Sequence, residues 1–138
     1  MFHFPKTRKE YKKHLHPASC PFCHITKDKD RTLIETEHAY IVPNITFYDL
    51  WEARDVEDHL LVVPKRHVRS LSELSAAERA GIMDILAEYE AKNYNVYARA
   101  VDSTMRSVKH QHTHLIKTNP KEHRGTFFMR KPYIFFKF

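Results

Sequence analysis

Three histidines alternate along Ser107-Val108-Lys109-His110-Gln111-His112-Thr113-His114-Leu115-Ile116. Residues two apart on an extended strand share a face. As a strand, this stretch sets His110, His112 and His114 in one row. A helix would scatter them at roughly 200° steps. Val108, Leu115 and Ile116 favour the strand. The row is too long to grip one metal ion: alternate residues stand about 6.6 Å apart and the outer two about 13 Å, against Zn–N bonds of about 2 Å. At most two neighbours share an ion, so at least one imidazole is left for other work. His112 has an imidazole on either side. Imidazole is a nucleophile and proton carrier near neutral pH. A flanked histidine suits attack on phosphorus, because a neighbour can carry the leaving-group proton.

Cys20 and Cys23 are the only cysteines. Their spacing reads as half a zinc site, a redox pair or coincidence. A redox pair wants a βα junction, which Pro17, Pro21 and a basic lead-in do not supply. Tetrahedral zinc needs two further ligands, and histidine is plentiful later in the chain. His24 competes by proximity, but a residue adjoining a knuckle cysteine usually points away.

The segment His110-Gln111-His112-Thr113-His114-Leu115-Ile116 resembles the His-x-His-x-His-x-x signature of the histidine-triad (HIT) superfamily of nucleotide hydrolases and transferases. His59-Leu60-Leu61-Val62-Val63-Pro64-Lys65-Arg66-His67-Val68 resembles its second signature, a strand ending in Pro-Lys-x-His. Cys20-Pro21-Phe22-Cys23 is similar to the zinc half-site of many bacterial members. The three stand in the family's order, and the resemblance spans residues 20 to 117. It implies hydrolysis at the α-phosphate of a nucleotide derivative, of phosphoramidate or dinucleoside polyphosphate type. His112 would be the nucleophile of a covalent nucleotidyl-histidine, with His114 and His59 orienting or polarising the site. His110 would either assist or be tied to zinc. Ser107 matches a phosphate-contacting serine, and Arg106 beside it adds charge suited to bidentate phosphate binding. Asn44 stands where the family usually has an Asp for the ribose, and it can still hydrogen-bond a hydroxyl. One structural Zn2+ per chain would rest on Cys20, Cys23, His67 and His110, with no catalytic metal and no organic cofactor. Many members are homodimers, here through the long helix and the strand from Asn95 to Val101. The transferase branch typically replaces the third histidine with glutamine, so His114 favours a hydrolase over a nucleotidyltransferase.

The elements that position these residues follow from pattern. The implied fold is α+β: an antiparallel sheet of about five strands with one long helix. Thr32–Thr36 and His38–Val42 read as short strands with Glu37 in the turn. His59–Pro64 reads as a strand buried on both faces. Ser75 and Glu78 form a capping box, and Ile82, Ile85, Leu86 and Tyr89 give the following helix, 76–92, its apolar face. Asn95–Val101 alternates, with Tyr97 and Arg99 on the same side. Ile45 to Asp58 reads as a long connection with Phe47, Tyr48 and Trp51, either a lid or a small satellite core. Asn119-Pro120 is expected to break the strand after the histidines.

At 138 residues and 42% hydrophobic composition, the chain holds one domain with a real core. Residues 1–18 read as a basic arm with a short helix over 6–15. Residues 19–138 read as the domain, with an aromatic extension from about 120 onward that packs on the domain, pairs with another subunit or covers the site. The net charge of +6 favours anionic partners, which keeps a zinc-stabilised nucleic-acid-binding module as the rival class. No apolar run reaches the length of a membrane span of about 18 residues. The basic N-terminus lacks a secretory h-region. Zinc-bound thiolates suit a reducing cytoplasm.

Overall fold

A computed structural model describes residues 3–4, 6–9, 19–27, 32–123, 126–130 and 133–137. In chain order the strands are β1 (Ile34–Glu35), β2 (Ala39–Pro43), β3 (Leu50–Trp51), β4 (Arg54–Pro64), β5 (Asn95–Tyr97), β6 (Thr113–Glu122), β7 (Thr126–Arg130) and β8 (Tyr133–Lys137). The long helix, α1, spans Ala76–Glu90. A 3-10 helix covers Pro21–Lys27. Strands β1 to β6 make one antiparallel sheet in the order β1-β2-β4-β6-β5, with β3 paired to β4 beside that path. The α+β expectation of one helix on an antiparallel sheet is met, with β3 as an additional strand.

β4 is the middle of the sheet. It pairs with β2 from Ala39↔Pro64 to Pro43↔Leu60 and with β6 through His59↔Ile116, Leu60↔Leu115 and Leu61↔His114. Its last six residues are all buried, as a continuous apolar run implies. Alternation then sorts the two faces. Ala39, Ile41, Leu60, Val62 and Leu115 pack against Ile82, Ile85 and Tyr89 of α1. On the other face Tyr40, Val42, Leu61 and Val63 pack with Ile25, and Phe22 lies against them. The register puts His59 and His114 on that second face, away from the helix.

α1 starts as its residues dictate. Ser75 Oγ accepts from the Glu78 backbone N–H at 3.1 Å, and Glu78 Oε2 accepts from the Ser75 N–H at 2.7 Å. Arg66 grips the same carboxylate with Nε and Nη2 at 3.0 and 2.7 Å, tying the helix start to the end of β4. The helix stops two residues short of the expected end, and Asn93 takes φ 65° just beyond it.

Four expectations need correction. β4 begins at Arg54 rather than His59, so most of the 45–58 connection is a hairpin. Its turn places Glu52 at φ 50° and Ala53 at φ 58°, the left-handed pair that matches strand twist. The histidine strand begins only at Thr113. Upstream, the Gln111 N–H donates to the Val68 carbonyl at 2.7 Å, so residues 107–112 are held by a loop instead of a ladder. β5 ends at Tyr97, because the chain turns at Ala100–Ser103. β6 runs through Asn119-Pro120 to Glu122. β5 reaches only Ile116, so Pro120 lies where one side of β6 is an edge and its missing N–H costs little.

Residues 6–9 are helical, while 10–15 of the expected N-terminal helix lie outside the described residues. The described part is fastened to the domain: Asp49 accepts from the Phe4 N–H at 2.6 Å and from Thr7 Oγ1 at 2.9 Å. The aromatic C-terminal segment forms a separate hairpin of β7 and β8.

Candidate active site and metal centre

His112 and His110 sit in the loop that feeds β6, and His114 is the second residue of that strand. The loop is shaped by a buried cation. Arg106, only 5% exposed, donates from Nε to the Val108 carbonyl, from Nη1 to the Arg69 carbonyl and from Nη2 to Gln111 Oε1, at 3.2, 2.8 and 3.1 Å. Each of the three guanidinium nitrogens of Arg106, expected from the sequence as a phosphate ligand, thus has an acceptor in the protein, two in this loop and one on Arg69. Ser107 follows, half-buried.

The loop brings the His110 carbonyl to His112. His112 Nδ1–H donates to it at 2.8 Å, so the proton of the neutral ring stays on Nδ1 and Nε2 keeps its lone pair. Burial, together with the Arg106, His110 and Arg99 charges, pulls the His112 pKa down to about 4, against the opposing pull of the His110 carbonyl. The ring is neutral at pH 7. At 8% exposure it is the most accessible of the four buried histidines His59, His110, His112 and His114.

His59 and His114 form a second unit. The Tyr48 backbone N–H donates to His59 Nδ1 at 3.1 Å. That leaves the His59 proton on Nε2, which lies 2.9 Å from His114 Nδ1. His59 therefore donates to His114, and His114 carries its own hydrogen on Nε2. Among the described residues that buried atom has no partner. Burial drives both pKa values down, to about 3 for His59 and about 2 for His114. Asn44 Nδ2 lies 3.2 and 3.4 Å from the two His59 ring nitrogens, while its Oδ1 accepts from Thr46.

Aromatic rings flank the row at both ends. Phe22 meets His112 edge-on at 5.1 Å and His110 at 5.9 Å. At the other end Tyr48 lies 4.8 Å from His59 and 5.8 Å from His114, with Tyr97 5.7 Å from His114. Trp51 contacts both tyrosines, and His3 lies 5.0 Å from Tyr48. The hairpin of the 45–58 segment thus supplies a wall of the site. Tyr97 and Arg99 were not singled out from the sequence, although their alternation had put them on one side of a strand.

The candidate metal residues do meet. One ligand atom from each of Cys20, Cys23, His67 and His110 lies within 4.8 Å of the others. Cys23 Sγ is 3.0 Å from His67 Nδ1, and Cys20 Sγ is 3.6 Å from His110 Nδ1. His110 Nε2–H donates to the Pro64 carbonyl at 2.9 Å. Its Nδ1 lone pair therefore faces the thiols, the arrangement that orients a ligating histidine. Two sulfurs and two ring nitrogens fit a closed tetrahedral site. His110 joins both sites: its ring belongs to the metal group and its carbonyl holds His112.

Among the described residues, no helix is long and apolar enough to cross a membrane. No curated protein matches the chain significantly. The fold is similar to that of a hypothetical protein from Leishmania major, at 29% identity over 76% of each chain with a TM-score of 0.58. It is also similar to a HIT family hydrolase from Clostridium thermocellum, at 21% identity over 75% of this chain and 94% of that one, TM-score 0.55. A Zn-bound histidine triad family protein from Mycobacterium smegmatis is 20% identical over 75% of this chain and 77% of that one, TM-score 0.56. Residues 27–121 match the HIT domain family, and with His114 on β6 and His110 and His112 in the loop that feeds it, the chain belongs to that family.

Proposed function

We propose that the chain is a nucleotide hydrolase acting at the α-phosphate of a nucleotide derivative. The observation that carries this is the bond from His112 Nδ1–H to the His110 carbonyl, which turns an unprotonated Nε2 into an available nucleophile. Family membership supports a nucleotide ligand, and the similar C. thermocellum protein is described as a hydrolase.

In this reading His112 Nε2 attacks phosphorus, and the bond to the leaving group breaks with its electron pair, a phosphate departing as the anion and an amine taking up a proton from solvent as it leaves. A nucleotidyl-His112 forms. Water then attacks phosphorus, returns the electron pair to Nε2, and releases a nucleoside monophosphate and a proton to solvent. His114 Nε2–H donates a hydrogen bond to the reacting phosphate, and His59 fixes that donor. Placing donors before charge develops is the main source of stabilisation in such transfers. Ser107 contacts the phosphate and Asn44 the ribose. Phe22 offers its face to the nucleoside.

Cys20, Cys23, His67 and His110 hold one zinc, whose four protein ligands leave it structural. The protein works as a homodimer through α1 and the β5 edge. Support comes from Met83 on α1 and Val96 on β5, which are 62% and 43% exposed.

The test is His112→Ala. It abolishes turnover of a nucleoside phosphoramidate or dinucleoside polyphosphate while folding is kept, and a trapped adduct maps to His112 by mass spectrometry. Near-normal turnover of that variant, or an adduct elsewhere, rejects the mechanism.

A further inference from the structure

Phe47, Tyr48 and Asp49 lie between β2 and β3, outside either strand. Val56 donates to the Asp49 carbonyl at 3.0 Å from the hairpin, and Arg99 donates to the Tyr48 hydroxyl at 2.8 Å. Further contacts come from the N-terminal arm. One oxygen of the Asp49 carboxylate accepts from the Phe4 N–H at 2.6 Å, and the other accepts from the Thr7 hydroxyl at 2.9 Å. The Arg8 N–H closes a turn on the Phe4 carbonyl at 2.9 Å, which aims both donors at one carboxylate. The half-buried His3 ring bonds to the Phe47 backbone and packs on the Tyr48 ring at 5.0 Å. The arm thus grips three consecutive residues, using His3, Phe4 and Thr7. Its basic Lys6 and Lys9 stay exposed.

The middle residue of the three is the one that touches the site. The Tyr48 N–H sets the His59 tautomer, and through it the hydrogen on His114. At 3.1 Å that bond is lost with a shift of about half an ångström. A loop outside a ladder also opens more readily than the sheet beneath it. The two bonds to the half-buried Asp49 carboxylate are charge-assisted, and so among the stronger restraints a loop can have. Without the Tyr48 N–H in place, Asn44 Nδ2 can donate to whichever His59 nitrogen is unprotonated, since it lies 3.4 and 3.2 Å from the two. His59 then takes either tautomer.

We propose that the N-terminal arm is a clamp belonging to the active site, in which His3, Phe4 and Thr7 act through Asp49 and Phe47 as positioning residues that hold the Tyr48 N–H on His59. The effect on rate rests on the hydrolase reading above; the effect on His59 does not. The reacting phosphate meets none of these arm residues in this scheme. They govern how often His114 presents a hydrogen to it.

The experiment uses the full chain with Asp49→Ala, which removes both carboxylate bonds. Thr7→Val removes one hydroxyl at nearly constant shape, and His3→Ala removes the ring on Tyr48. Two quantities are read: kcat and KM on a nucleoside phosphoramidate or dinucleoside polyphosphate, and the nitrogen chemical shifts of the His59 ring, which differ between tautomers. Wild type should show His59 protonated on Nε2 alone. Asp49→Ala should show averaging between the two tautomers, with kcat lower by about 3- to 10-fold, the value of one hydrogen bond, and KM within about twofold. Thr7→Val and His3→Ala should show the same change in smaller measure. His59 shifts that match wild type in Asp49→Ala and Thr7→Val overturn the proposal whatever the rate. So does a kcat of Asp49→Ala within about twofold of wild type. If Asp49→Ala does not fold, Thr7→Val decides by the same criteria. If wild type turns over neither substrate, the hydrolase reading falls, while mixed His59 tautomers in the variants keep the clamp.

Discussion

The backbone N–H of Tyr48 donates to Nδ1 of His59, and this one bond decides which nitrogen of His114 carries a hydrogen. A main-chain amide cannot be titrated away. It holds two imidazoles in fixed tautomers and delivers a donor to a buried position that has no partner among the described residues. His59→Phe removes the ring that imposes this order and lets His114 take either tautomer. Turnover is expected to drop by about 100-fold, within the span typical of positioned proton donors and acceptors. The His112 adduct should still form. A burst of adduct with slowed chemistry supports the relay, and kcat within about twofold of wild type rejects it.

The same pair sets a pH dependence of stability. His59 and His114 have ordinary values of 6.5 but titrate near 3 and near 2 when folded, chiefly through burial. The unfolded chain takes up both protons as pH falls through 6.5, and the folded chain refuses them until it is far more acid. Their contribution is complete above about pH 6.5 and drains as pH falls toward 3, by up to about 1.4 kcal/mol per pH unit for each ring. Melting temperature should therefore decline between about pH 7 and pH 4. The decline should be shallower in a His59→Phe/His114→Phe variant. Parallel profiles for the two proteins would show that other groups govern acid unfolding.

Metal removal tests the four-ligand site. Purified protein should hold about one zinc per chain. Cys20→Ser or exhaustive chelation should lower the melting temperature by more than about 5 °C, since the binding free energy of a structural zinc is folding free energy. Because the His110 carbonyl also holds His112, the His112 ring resonances should broaden or shift in the metal-free protein. Absence of zinc in protein purified without chelators would remove the site.

Much of the chemistry was legible because it is written in short spacings. The alternating histidines, Cys-x-x-Cys and the Ser75–Glu78 capping box each declare themselves within a few residues. What was not legible depends on distant partners. Arg99 meets Tyr48 across 51 positions, and nothing near either residue announces it. The expected extended row of three histidines failed for a related reason: Arg106 and Gln111 bind the 65–70 segment, a tertiary contact that overrides the strand preference of Val108. Tyr48 and Trp51 could be seen as aromatic cargo of a long loop, but the place of Tyr48 against His59, with Trp51 against Tyr48, follows from a turn with no glycine in it.

That turn is itself testable. Glu52 and Ala53 both sit at positive φ, where a side chain costs roughly 1 kcal/mol or more. Ala53→Gly should stabilise the protein by about 1 kcal/mol, read as a higher denaturation midpoint with unchanged slope. A destabilised variant would mean that the Ala53 methyl contributes more in packing than it costs in backbone strain.

Assembly can be read by light scattering. A dimer is expected at tens of micromolar, an order-of-magnitude concentration well above a μM dissociation constant. Val96→Asp on the β5 edge should shift it toward monomer. A wild-type monomer at that concentration would exclude the proposed pairing.

Arg106 also has a directional effect. A trans peptide is planar, with its C=O and the following N–H pointing opposite ways. By drawing the carbonyls of Arg69 and Val108 inward, the guanidinium turns the amide hydrogens of Ser70 and Lys109 away from itself. A buried positive charge thereby polarises two peptide units with their positive ends facing out. Replacing it with an uncharged isostere would do more than loosen the loop: it would release the orientation of those dipoles, and the local field would lose its sign before the chain lost its shape.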